Sequence, residues 1–150
     1  DDRELRREGP SYMFDTLTSL RTEVGAETPL VLIVGADAFR DLHTWHRWRE
    51  LTGLAHIVVM QRPGAAQSLP PVLAEFATPR VVHAPAALRQ QSAGGILFQP
   101  VTQLAISATQ IRALLAHGQS PRYLLPDPVL AFIHDRALYR PLPAKTPVPA

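Results

Sequence analysis

Leu30-Val31-Leu32-Ile33-Val34-Gly35-Ala36-Asp37 sets five consecutive apolar residues, three of them β-branched, between Pro29 and Gly35. This pattern predicts a short strand buried on both faces, as strands of parallel sheets are. Gly35 is read as the point where the backbone turns tightly. Asp37 then follows at the strand's carboxyl end, the edge at which open α/β sheets bind ligands. Its carboxylate is either a site residue or the cap of the next helix.

Upstream, Pro10-Ser11 ends a charged lead and starts a helix, with Ser11 as its N-cap. Met13, Leu17, Leu20 and Val24 recur at helical spacing and Gly25 closes the helix. The lead itself, with Arg3, Arg6 and Arg7 against Glu4 and Glu8, reads as a solvated face. Downstream, Phe39 and Leu42 predict a helical turn. Thr44 is then expected to cap a helix from Trp45 to Leu51, with Trp48 and Leu51 on its inner face. Ala55 to Met60 is a second strand, and His56 at its start is read as a structural residue. Strand, helical crossover and strand make a βαβ unit, which brings Asp37 and Arg62 to neighbouring strand ends.

Val72 to Phe76 predicts one or two helical turns, Arg80 to His83 a short third strand and Gly95 to Phe98 a fourth. The class is therefore α/β with a parallel sheet. Ser107 with Gln110 fits a capping box at the head of a helix whose inner face is Ile111, Leu114 and Leu115, with Gly118 as its stop. Two readings stand there: a capped surface helix, or two hydroxyls and Arg112 gathered at a helix amino end that favours an anion. Asp127-Pro128 opens the last helix, with Asp127 as cap and Val129, Phe132 and Ile133 as its apolar face. From Pro141 to Ala150 the Pro-rich tail is expected to be disordered.

The 150 residues suffice for one domain with a core, and an apolar share of 46% marks a globular rather than a disordered chain. Cysteine is absent, which excludes disulfides and Cys-ligated zinc and agrees with a reducing, cytoplasmic setting. No stretch approaches the roughly 18 apolar residues of a membrane span. Fourteen of the fifteen cations are Arg, but they are scattered and the net charge is only +2, so no basic stripe for nucleic acid is present.

Six stretches, taken in order, resemble bacterial nicotinate-nucleotide adenylyltransferase. They are Gly9-Pro10-Ser11-Tyr12 with Asp15-Thr16-Leu17; Ile33-Val34-Gly35-Ala36-Asp37; and Thr44-Trp45-His46-Arg47-Trp48. The others are Ala55-His56-Ile57-Val58-Val59 with Arg62-Pro63-Gly64; Ile106-Ser107-Ala108-Thr109 with Ile111-Arg112; and Tyr123-Leu124-Leu125-Pro126 with Leu138-Tyr139. The resemblance runs from Asp2 to about Arg140. It implies a Rossmann-like nucleotidyltransferase fold that joins nicotinate mononucleotide to ATP, with Mg²⁺ accompanying the ATP, giving deamido-NAD and pyrophosphate.

By the same resemblance, Asp37, Trp45, His46 and Arg62 belong to the mononucleotide site. Trp45 would stack on the pyridine ring, and the His46 backbone would meet the nicotinate carboxylate. Gly35, Ser107, Thr109 and Arg112 fall to ATP. Two departures from the family stand out. Met13 occupies the position of a threonine that helps hold the nicotinate carboxylate, and neither a Gly-rich first strand nor an H-x-G-H motif is present. The expectation is a C-terminal portion of the enzyme, residues 1–140 of one domain whose sheet is incomplete at its N-terminal half, inactive alone and without a catalytic or metal-binding residue of its own. Alternatives are a non-catalytic nucleotide- or partner-binding domain, or an adenylyltransferase acting on nicotinamide mononucleotide or phosphopantetheine.

Overall fold

A computed structural model describes residues 1–61, 68–102 and 106–139 of the chain. Two compact units divide it, residues 1–102 and 103–150. In the first, α1 (Met13–Val24) leads to β1 (Val31–Gly35), which runs directly into α2 (Ala36–Arg40). Short 3₁₀ turns and α3 (Leu51–Leu54) precede β2 (His56–Gln61). Then come α4 (Pro71–Ala77), β3 (Val81–Val82) and β4 (Ile96–Pro100). The second unit contains α5 (Ala108–Ala116) and α6 (Asp127–Asp135).

The four strands form one sheet in the order β1-β2-β4-β3, and every pairing is parallel. Val34 lies opposite Val59, and Ile57 opposite Ile96. These residues share one face and join Leu17, Phe39, Leu42, Trp48, Leu51 and Leu73 in a single core cluster. Phe39, Leu42 and Leu51 are fully buried, so the segment between β1 and β2 contributes to the core alongside the strands, as does Leu73 of α4.

Arg21 ties the amino edge of this unit together. Its guanidinium donates to the carbonyls of Gly25 at 3.0 Å, Thr28 at 2.6 Å and Ser92 at 2.9 Å, and through two nitrogens to that of Leu54. His56, 1% exposed, is held the same way: Gly95 N–H donates to its Nδ1 at 2.9 Å, which leaves Nε2 as the donor to Gln91 O at 2.8 Å. The structural reading of His56 holds.

Several expectations need correction. β1 is not buried on both faces: it is an edge strand of the described sheet, and Ile33 on its outer face is 60% exposed. Gly35 makes no glycine-only turn, because its φ of −74° and ψ of 158° are open to any residue. Ser11 is not the cap of α1. Tyr12 holds that position, its carbonyl accepting from Asp15 and Thr16 N–H, with no side-chain cap.

Residues 45–51 do not form one helix headed by Thr44. Trp45 is extended and Arg47 is left-handed at φ 53°, while the Thr44 hydroxyl donates back to Asp41 O. Trp48 and Leu51 are nonetheless buried as expected. The third strand shortens to Val81–Val82. Pro126, not Asp127, is the N-cap of α6, and Val129 and Phe132 on that helix are exposed while Ile133 is buried. α5 has the expected Ser107 cap and Gly118 stop, but its apolar face is only half-buried. The tail from Pro141 lies outside the described residues. No described helix is long and apolar enough to cross a membrane.

Candidate functional site

Where β1 ends, the chain passes into α2 without a loop, and this places Asp37 in the first turn of that helix. Asp37 caps nothing. Its side chain is 89% exposed and accepts from Arg40 Nη2 at 3.1 Å, a pairing of neighbours on one helix face. The capping alternative therefore falls, leaving an accessible carboxylate at the carboxyl edge of the sheet. Gly35 beside it has open space where a Cβ would stand, so a ligand meets no side chain there.

Beyond α2 the turn at Leu42–Thr44 delivers Trp45 to a cavity of about 360 Å³, lined by Met13, Thr44, Trp45, His46, Tyr12 and Glu4 among others. Trp45 is half-buried and packs against the core, which fixes its ring and leaves the rest to face the opening. Tyr12 and His46 stack across the cavity wall, ring centroids 4.4 Å apart and planes at 29°. A slot of apolar and aromatic groups with a few polar atoms is what a flat heteroaromatic ligand requires. Met13 lines the same slot, so the departure noted in the sequence lies at the site itself.

Tyr12 and Glu4 line the cavity but carried no site role in the sequence reading. Tyr12 stood in the Gly-Pro-Ser-Tyr stretch with no role attached, and Glu4 lay in a run that reads as surface charge. His43 and His46 share an H-x-x-H spacing, but Trp45 stands where H-x-G-H has glycine. The two rings also diverge, His43 Nδ1 lying 3.0 Å from Arg40 O while His46 stacks on Tyr12. Behind the cavity Arg47 grips Glu50 through two hydrogen bonds and covers the Phe14 ring at 3.5 Å. The hydrogen bond raises the Arg47 guanidinium and lowers the Glu50 carboxyl from their ordinary values.

In the second unit, Ser107 Oγ accepts from Gln110 N–H at 3.1 Å and Arg112 Nη2 reaches Thr109 Oγ1 at 3.4 Å. The two hydroxyls and the guanidinium thus gather, exposed, at the amino end of α5. Asp37 is not among the residues lining the Trp45 cavity, and Arg62 lies outside the described residues. Among the described residues no group of three or more His, Asp or Glu side chains is placed to hold a metal ion.

Comparison with known proteins bears on the same stretches. The chain is 54% identical over 139 residues to the probable nicotinate-nucleotide adenylyltransferase of Methylococcus capsulatus, covering 93% of this chain and 66% of the relative. It is 52% identical over 143 residues to the protein of that name from Dechloromonas aromatica, with 93% and 66% covered. The chain thus spans just under two thirds of the length of these relatives. Plasmodium falciparum nicotinic acid mononucleotide adenylyltransferase complexed with APC superposes with a TM-score of 0.59 at 12% identity, covering 88% of this chain and 60% of that one. That likeness is one of fold, the Rossmann-like arrangement of parallel strands and flanking helices. Residues 2–114 match the family described as cytidylyltransferase-like, and with this sheet, this carboxyl-edge carboxylate and these relatives the chain belongs to that family.

Proposed function

We propose that this chain carries substrate-binding parts of a nicotinate-nucleotide adenylyltransferase. A phosphate oxygen of nicotinate mononucleotide attacks the α-phosphorus of ATP in line, the bond from that phosphorus to the bridging oxygen breaks, and pyrophosphate leaves with deamido-NAD as the other product. The observation that carries this reading is the Trp45 cavity: a half-buried indole, a stacked Tyr12–His46 pair and about 360 Å³ of space suit a pyridine ring. The names of the relatives that share half of its residues point the same way.

In this reading Trp45 stacks on the ring, the His46 backbone meets its carboxylate, and Asp37 and Arg62 hold the rest of the mononucleotide. Gly35 lets ATP approach the backbone. Ser107, Thr109 and Arg112 hold its phosphates at the amino end of α5, where free N–H groups and the helix dipole add to the Arg112 charge. The chain's contribution is to position and neutralise, which is most of what this class of transfer requires. Mg²⁺ belongs to the ATP substrate, in keeping with its habit of binding through phosphates and few protein ligands.

Trp45→Leu keeps an apolar side chain against the core and removes the aromatic face. Its expected effect is about tenfold weaker nicotinate mononucleotide binding with ATP binding unchanged, measured by calorimetric titration. Unchanged mononucleotide affinity would remove Trp45 from the site. Met13 and the Glu4 carboxylate in the cavity lining favour one second reading, a neutral nicotinamide ring in place of nicotinate. Titrating both mononucleotides in parallel separates the two.

A further inference from the structure

A second cavity, of about 620 Å³, lies beyond Phe14 and Glu50, on the side of the segments that lead into the strands. Its walls come from segments that lead into three strands: Gly53 and Leu54 precede β2, Arg80 precedes β3 and Gly94 precedes β4. It shares no lining residue with the Trp45 cavity.

Arg49 and Arg80 both line it. The Arg49 guanidinium lies 4.3 Å from the centroid of the Trp48 ring, Trp48 meets Phe76 edge-on at 4.8 Å, and the Arg80 guanidinium lies 4.1 Å from the Phe76 centroid. The aromatic pair thus supports both cations by contact with their rings. Arg80 donates one N–H to Phe76 O at 2.6 Å. Among the described residues the Arg49 side chain has no hydrogen-bond or ion-pair partner. The carboxylate lining the cavity is that of Glu50, and both its oxygens are already taken by Arg47.

The lining thus carries two guanidinium groups, while its one carboxylate is already paired with Arg47. The planar guanidinium forks match phosphate oxygens bidentately. Open space stands where a Cβ of Gly53 would be, and at Gly94 the nearest atom to a Cβ would be Thr52 O at 3.9 Å, so a ligand has room against the backbone. We propose that Arg49 and Arg80 form a second, phosphate-binding site beside the segments that lead into the strands, one that takes a small phosphate- or pyrophosphate-bearing molecule.

The test is a titration of the ¹⁵N-labelled chain with inorganic pyrophosphate, followed by NMR. Saturating shifts are expected at the Gly53 and Gly94 amides and at Nε–H of Arg49 and Arg80. Arg49→Gln and Arg80→Gln should each weaken that response about tenfold, with the remaining spectrum reporting an intact fold. Arg112→Gln should leave it unchanged, which separates this site from the proposed ATP-phosphate site. Arg80→Lys, which keeps the charge but loses the fork, should fall between. Absence of saturation at Gly53 and Gly94, the same shifts with sodium chloride at equal ionic strength, or a response that survives the double Gln variant would each overturn the proposal.

Discussion

Asp37 shows how much one side chain's surroundings decide. Its partner in the structure is Arg40 on the same short helix, with the carboxylate almost wholly in water, and such exposed pairs contribute well under 1 kcal/mol. Asp37→Asn should therefore move unfolding free energy by no more than about 0.5 kcal/mol. On the proposed function, it should lower adenylyl transfer roughly ten- to hundredfold, the worth of a charged hydrogen bond to substrate. Loss of the fold in Asp37→Asn would restore a structural role; unaltered turnover would take Asp37 out of the site. At this scale the sequence was a good guide wherever a residue's neighbours are close in the chain. Asp37 at a strand end, Ser107 as a cap and Trp48 as core are all readable from local pattern. Tyr12 and Glu4 were not, because what brings them to the cavity is Trp45 and His46, more than thirty positions away.

Elements were legible in proportion to how much they depend on periodicity. β2 and β4 are short apolar runs with clear ends, and α1 and α5 repeat their apolar residues at helical spacing, so all four fall close to where pattern puts them. The segment from Leu42 to Leu54 did not, because Arg47 adopts a left-handed conformation that no propensity announces. It is held there by Glu50 and Phe14. Arg21 is the clearest case of an element joined by something pattern does not reveal. It sits in the last turn of α1, where a cation favours the helix dipole, yet its partners are carbonyls from the strand-leading segments around Thr28, Leu54 and Ser92. Lysine has too compact a donor group to reach them all. Arg21→Lys should cost about 2–4 kcal/mol, read as a lower urea midpoint with an unchanged slope. A midpoint that stays put would show that water replaces those bonds at no cost.

For the molecule as a whole, the class, the parallel pairing and the content of the core followed from apolar runs separated by helical crossovers. The strand order did not, since β4 inserts between β2 and β3, and only the pairing of distant segments decides that. Nor did the exposure of β1, whose composition is that of a strand covered on both faces but whose Ile33 lies open. The pairing of β1 has a consequence in time as well as in space. Leu30 O accepts from His56 N–H at 2.8 Å, and Val31 lies opposite His56 in parallel register. Alternation along the strand then points the N–H groups of Leu32 and Val34 toward β2 and those of Val31 and Ile33 away from it. In heavy water the strand should therefore read as a two-beat pattern. Leu32 and Val34 should keep their protons until the sheet itself opens, while Val31 and Ile33 trade theirs for deuterium at nearly the pace of a free peptide.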